Sequence, residues 1–165
     1  MREVASASTI SSTGIKGGGT SGTVRHSSID ETLETEAEMH VQLLNNSPQN
    51  RRGDGQVSYL LLAPSQFGSR QMAITLVEGA PGSQQALHAH SDSEQVYVIV
   101  TGRGRMTVSD EQRDVGAGSL VFIPAGSPHA IHNPGPEKLV YVSATAPPFE
   151  MPTGEFADRP PTRDR

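Results

Sequence analysis

Residues 82–102 read GSQQALHAHSDSEQVYVIVTG, and their spacing carries most of what this chain says about its fold. Pro81 and Gly82 mark a turn, and His88 and His90 stand two apart in the run behind it. On an extended strand such residues project from one face, so both imidazoles point into whatever that face covers. Alone, a His-X-His pair is commonly a solvated polar pair; its company distinguishes this one. Glu94 and Gln95 follow, then an apolar run, VYVIV, leading to Gly102. Further on, residues 118–133 read GSLVFIPAGSPHAIHN, with Gly118, Pro124, Gly126, His129 and Asn133 at fixed offsets. The Pro-X-Gly turn re-aims the chain so that His129 enters from a different strand. Three imidazoles from two separated strands, plus one more donor, make a facial set with open positions, which suits a non-structural metal site.

Outward from these stretches the texture is β throughout. From Gln56 the runs VSYLLL, QMAITLVE, QALHAH, QVYVIVTG, RMTVS, SLVFIPA, HAIHN and KLVYVSA follow one another, punctuated by Gly, Pro, Asp and Ser. Many short strands with turn signals between them predict an all-β sandwich or barrel over residues 56–146. Residues 1–28 (rich in Ser, Thr and Gly) offer too little apolar surface to offset their ordering entropy and are expected to form a disordered tail. Residues 29–55 read as an N-terminal arm or short helix, and 147–165, rich in Pro and charge, as a C-terminal tail.

Composition closes several routes. The 165 residues fit one domain, and the absence of cysteine excludes disulfides and thiolate metal sites. The net charge of −5 is unpatterned, with no basic stripe, so nucleic acid is not an expected partner. No apolar run approaches membrane-spanning length and the N-terminus lacks a secretory layout, so the default expectation is a cytoplasmic protein with no membrane partner.

The two spaced stretches resemble the paired motifs of the cupin superfamily. The first motif runs Gly, five residues, His-X-His, three or four residues, Glu, six residues, Gly. The second runs Gly, five residues, Pro-X-Gly, two residues, His, three residues, Asn, and residues 118–133 match it at every defined position. With their spacer the motifs cover about a third of the chain. The resemblance implies a double-stranded β-helix, a jelly-roll barrel. It also implies one divalent metal on His88, His90, His129 and a fourth side chain. There the chain departs from the family pattern. Counting back from Gly102 lands on Gln95, whereas Glu94 follows His90 after three intervening residues. Neighbours on a strand face opposite ways, so only one can reach the metal; two of the three spacings favour Gln95, and a bulge would select Glu94.

By the same resemblance the metal is expected to be Fe(II) first, with Mn, Ni or Zn as alternatives. The chain is expected to be an enzyme acting on a small chelating organic substrate, an oxygenase in first place. An isomerase, lyase or cyclase using the metal as a Lewis acid comes next, and then a non-catalytic binding module. A homodimer is the expected assembly. Candidate catalytic residues beyond the ligands are Tyr97, which shares the face of Gln95 and Ile99, and Arg105, placed to meet an anionic substrate. Core packing for Tyr97 and solvent for Arg105 are the plainer roles. Proton competition for the metal is expected below about pH 6, near the reference imidazole pKa.

Overall fold

The computed structural model describes residues 38–148. The tail expected at 1–28, the first part of the arm and the chain beyond Pro148 lie outside the described residues.

Among the described residues, nine strands form two antiparallel sheets. They are β1 (Gln49–Arg51), β2 (Gln56–Leu62), β3 (Ala73–Gly79), β4 (Glu94–Thr101), β5 (Arg103–Val108), β6 (Glu111–Gly116), β7 (Leu120–Ile123), β8 (His129–His132) and β9 (Leu139–Ala146). The larger sheet runs β1-β2-β3-β9-β4-β7, and the smaller β6-β5-β8. Sequence-distant strands pair at its centre: β9 lies between β3 and β4, with Val77 opposite Tyr141 and Ile99 opposite Tyr141 on its other side. Such a crossover brings the two halves of the chain into one barrel, as the jelly-roll expectation requires.

Period-two alternation explains these strands. β9, LVYVSATA, buries Leu139, Tyr141, Ser143 and Thr145 while the residues between them are half-buried or exposed. Tyr97, Ile99, Met106, Ile123, Ile131, Leu139, Tyr141 and Val77 make one core cluster between the sheets. Burying an aliphatic side chain of this kind is worth about 1.5–3 kcal/mol, so this cluster and the strand ladders hold the barrel shut.

Four local features differ from the reading of the sequence or extend it. The run QALHAH is not a continuous strand. It touches β8 at two isolated bridges, Gln84 with His132 and His88 with His129. Four steps along one chain there answer three along the other, so one extra residue is accommodated between the bridges, as in a bulge. β1 pairs with β2 inside the segment read as an arm. Of that segment, residues 38–43 have no regular structure, and only Leu44–Asn46 makes a 3-10 turn. β6 was not foreseen, because EQRDVG carries no apolar alternation; its first four residues are exposed.

Candidate metal centre

The site is assembled from three backbone positions. His88 and His129 exchange main-chain hydrogen bonds, His88 N donating to the His129 carbonyl at 3.1 Å and His129 N to the His88 carbonyl at 2.8 Å. The turn at Pro124–Gly126 reaches the third: Gly126 N donates to the His90 carbonyl at 2.7 Å. Gly126 takes φ +76°, a conformation that favours glycine. The second motif therefore supplies His129 and also pins the backbone of His90.

The imidazoles converge. Ring centroids lie 4.3 Å apart for His88–His129, 5.1 Å for His88–His90 and 5.7 Å for His90–His129. One nitrogen from each lies within 4.8 Å of the others. Nitrogens about 2.1 Å from a common ion sit roughly 3–3.5 Å apart, so a closure of about 1–2 Å would seat one metal.

Two rings are also oriented. Nδ1 of His88 lies 2.9 Å from the Ala86 carbonyl, and Nδ1 of His129 lies 2.9 Å from the Ser127 carbonyl. A carbonyl can only accept, so Nδ1 carries the proton and Nε2 presents its lone pair. The Nε2 of His129 is buried with no hydrogen-bond partner.

The fourth position is where sequence counting stood divided. Glu94 is exposed on the outer face of β4, whereas Gln95 is 4 % exposed and faces inward with Tyr97 and Ile99. The Gln95 amide nitrogen donates to Thr145 Oγ1 at 2.9 Å, which leaves its carbonyl oxygen buried without a partner. Two orphaned buried acceptors, His129 Nε2 and Gln95 Oε1, suit a cation, since an unmet buried acceptor costs about 1–3 kcal/mol.

Charge at the site is set by burial. Burial, then the neighbouring His88 and His129 rings and the Arg52 guanidinium, push His90 down to about 4. His129 is also lowered, chiefly by burial and then by His88, against an opposing backbone bond from Ser127. His90 is thus neutral and ready to ligate well below pH 6, and for both rings the expected onset of proton competition moves downward. In the metal-free protein these folded-state values lie below the unfolded histidine value of about 6.5, so the unfolded chain binds more protons in between. Stability from this source is full above about pH 6.5 and is lost as pH falls toward about 4. Thermal melts of metal-free protein should show the melting temperature dropping across that window, and His90→Asn should flatten the slope. A melting temperature that rises on acidification would contradict the buried-histidine account.

The two candidate catalytic residues part company. Tyr97 is 2 % exposed, its ring 5.9 Å from His129 and 4.8 Å from Tyr141, and its hydroxyl accepts from Gln85 Nε2 at 3.4 Å. Burial pushes its hydroxyl up to about 12, the Gln85 bond and Arg52 opposing. Arg105 is placed outside: it is exposed on β5 opposite Asp114, with Nε 2.9 Å from Oδ1. The alternation of β5 turns Gly104 and Met106 inward, so the structure does not bring Arg105 to the histidines. His132 sits at the opposite parity to His129 on β8, and His40 stacks on Phe67 away from the cluster.

Counting missed several residues of the interior. Gln56, Gln85 and Tyr141 are all buried with polar atoms that lack partners. No motif names them, and for Gln56 the alternation of β2 misdirects, since the apolar parity there is that of Val57, Tyr59 and Leu61. Asn133, the last residue of the second motif, proves to be a staple. Its Nδ2 donates to the Gly79, Ala80 and Glu137 carbonyls at 3.1, 3.1 and 2.8 Å, tying the strand ends together.

Comparison with known proteins agrees with this geometry. A family model described as a cupin domain matches residues 75–145. An uncharacterized protein of Methanocaldococcus jannaschii is 33 % identical over 105 residues, covering 64 % of this chain and 84 % of its own. This chain belongs to the cupins. Another relative, the oxalate decarboxylase OxdC of Bacillus subtilis, is 37 % identical over 68 residues, 38 % of this cupin and 17 % of that protein. A solved structure from Thermus thermophilus (TT1209) superposes with a TM-score of 0.56 at 25 % identity, covering 66 % of this cupin and 98 % of that chain. Among the described residues, no helix is long and apolar enough to cross a membrane.

Proposed function

We propose that this cupin is a mononuclear metal-dependent enzyme acting on a small oxygen-rich organic molecule, its metal held by His88, His90, His129 and Gln95. The observation that carries the reading is the oriented histidine set beside two orphaned buried acceptors, inside a barrel lined with polar side chains. Imidazoles held with their lone pairs free are what a bound metal requires.

When bound, the metal supplies Lewis-acid polarisation of a chelating oxygen and, as Fe(II), redox chemistry with dioxygen. The chain's own residues supply proton control. With its hydroxyl near 12, Tyr97 is a neutral phenol at neutral pH. It is poorly matched to act as a base and well matched to protonate a strongly basic carbanion or alkoxide as one develops. Gln85 donates to the Tyr97 oxygen, which fixes that oxygen and leaves its proton for the substrate. These features, with the likeness to a decarboxylase, favour lyase or isomerase chemistry. Oxygenase chemistry is the second reading, supported by donor arithmetic: four protein donors on a six-coordinate ion leave two positions, room for both substrate and dioxygen.

Elemental analysis of purified protein, followed by oxygen-uptake and carbon dioxide-release assays on small enols and 2-oxo or 2-hydroxy acids, tests this. One equivalent of metal is expected, with turnover that does not consume oxygen. Substrate-dependent oxygen consumption would select the oxygenase, and protein that takes up no metal would end the proposal. Within the site, Gln95→Ala is expected to weaken metal binding by ~10-fold or more, whereas Glu94→Ala leaves metal content intact. Chelator competition measures both, and the reverse pattern would move the fourth ligand to Glu94.

A further inference from the structure

The two sheets differ in what they turn outward. On the smaller sheet Arg103, Arg105 and Asp114 face solvent. On the larger, β4 and β7 are apolar on both sides. Tyr97, Ile99 and Ile123 are buried in the core, whereas Val98, Val100, Leu120 and Phe122 on the opposite face are 38–64 % exposed. Val98 lies opposite Leu120, so the four form one continuous patch. A run apolar at every position, such as VYVIV or LVFI, is the pattern of a strand covered on both faces; a solvated face would alternate. Among the described residues β7 is also the edge of its sheet. Ile99 N donates to the Ser119 carbonyl at 2.9 Å, and by the alternation of an antiparallel ladder the main-chain groups of Leu120 and Phe122 point away from β4. Solvated edges are usually blunted with charge, and β7 carries none.

A second apolar stripe lies on the arm. Residues 38–43 lead through the 3-10 turn into β1, the strand at the other end of the same sheet. Their polar side chains turn to the barrel: His40 stacks on Phe67 at 4.5 Å, and Gln42 Oε1 accepts from Gln66 Nε2 at 3.4 Å. Met39, Val41 and Leu43, the residues alternating with them, are 59–86 % exposed. The arm therefore has the two-residue period of a strand, with its apolar side turned away from its own barrel. Stripe and patch are both exposed in one copy, so neither covers the other there. From their fractional exposures, these seven side chains offer on the order of 750 Å² per copy, and a reciprocal exchange would cover about 1,500 Å² in all, the size of a specific interface.

We propose that a second copy of this chain covers the β4–β7 face, each copy laying residues 38–43 along β7 of the other. Met39, Val41 and Leu43 bury against Val98, Val100, Leu120 and Phe122, and the arm's main chain bonds the outer edge of β7 as an added strand. Each copy gives one arm and receives one, so the exchange closes as a two-fold dimer.

Sedimentation equilibrium of the full chain tests this, with wild type expected at twice the chain mass of 17.5 kDa. Leu120→Glu with Phe122→Glu on the face, and separately Met39→Glu with Val41→Glu on the arm, should each weaken the dimer on the order of 100-fold or more, as loss of central apolar anchors does. All four side chains are exposed, so circular dichroism should show the barrel intact in both variants. Cross-linking decides whose arm it is. The chain has no cysteine, so Val41→Cys protein mixed with Leu120→Cys protein and oxidised should give a covalent heterodimer. If a chain carrying both substitutions instead cross-links within itself as a monomer, its own arm lies on β7 and the proposal is overturned. A monomeric wild type, or a dimer that either pair of glutamates leaves at full strength, would overturn it too.

Discussion

His129→Ala is expected to abolish metal binding, lowering affinity on the order of 100-fold or more, since even losing a ligand's support typically costs 10–100-fold. His129 is the best-held of the three histidines. It is 1 % exposed, its main chain is paired in both directions with His88, and Ser127 holds its Nδ1. Alanine removes an imidazole whose Nε2 is, among the described residues, both buried and unpartnered. The expected loss has a thermodynamic signature as well. A metal present at 100 times its dissociation constant stabilises the folded protein by about 2.7 kcal/mol. Wild-type protein should therefore gain melting temperature on metal addition, and His129→Ala should gain none. The control is His132→Ala. Three residues further along β8, at the opposite parity, His132 should be replaceable with metal content intact. Retention of a full equivalent by His129→Ala, or its loss from His132→Ala, would place the metal elsewhere.

That contrast between His129 and His132 was legible in the sequence, because parity on a strand is a geometric certainty once the strand is recognised. The same logic separated Gln95 from Glu94, and β4 places the glutamine inside and the glutamate outside. The glycine and proline offsets were legible for a related reason: they mark backbone conformations that other residues take only at a cost. What resisted reading was wherever a side chain's direction depends on more than its own strand. QALHAH looked like a strand, but an extra residue between its two bridges breaks the alternation, so the inward turn of Gln85 followed from no count. In β2 the rule that apolar residues face inward points to Val57, Tyr59 and Leu61, yet the chain buries Gln56, Ser58 and Leu60. That inversion is what a barrel with polar contents requires, and hydrophobic patterning is blind to it. For Arg105 solvent was the plainer reading, while its cross-strand partner Asp114 sits on a strand without apolar alternation.

Gly102→Ala is expected to be the most damaging single methyl group in the barrel. Gly102 joins β4 to β5 with φ +79°, in the left-handed region where a non-glycine residue pays about 1–2 kcal/mol. Strain of that kind alone would be survivable, and Gly118 and Gly126 show the comparison. They adopt φ +85° and +76°, and a Cβ at either would meet nothing within 4 Å. At Gly102 the added carbon would overlap the Lys138 carbonyl oxygen and come 3.0 Å from Leu139 Cα. Those are backbone atoms at the start of β9, which pairs with both β3 and β4, so yielding would disturb the centre of the larger sheet. Leu139 itself is 1 % exposed in the core cluster. Left-handed strain and overpacking against a rigid strand together should cost about 3 kcal/mol or more. For a domain of this size that is a melting-temperature drop of roughly 10–20 °C. Gly118→Ala should lose only about 1–2 kcal/mol, since it carries the strain without the clash. Thermal and urea melts of the three proteins measure the difference. Equal losses for Gly102→Ala and Gly118→Ala would mean that glycine at 102 is required for its conformation alone, and that the close approach of β9 is not what fixes it there.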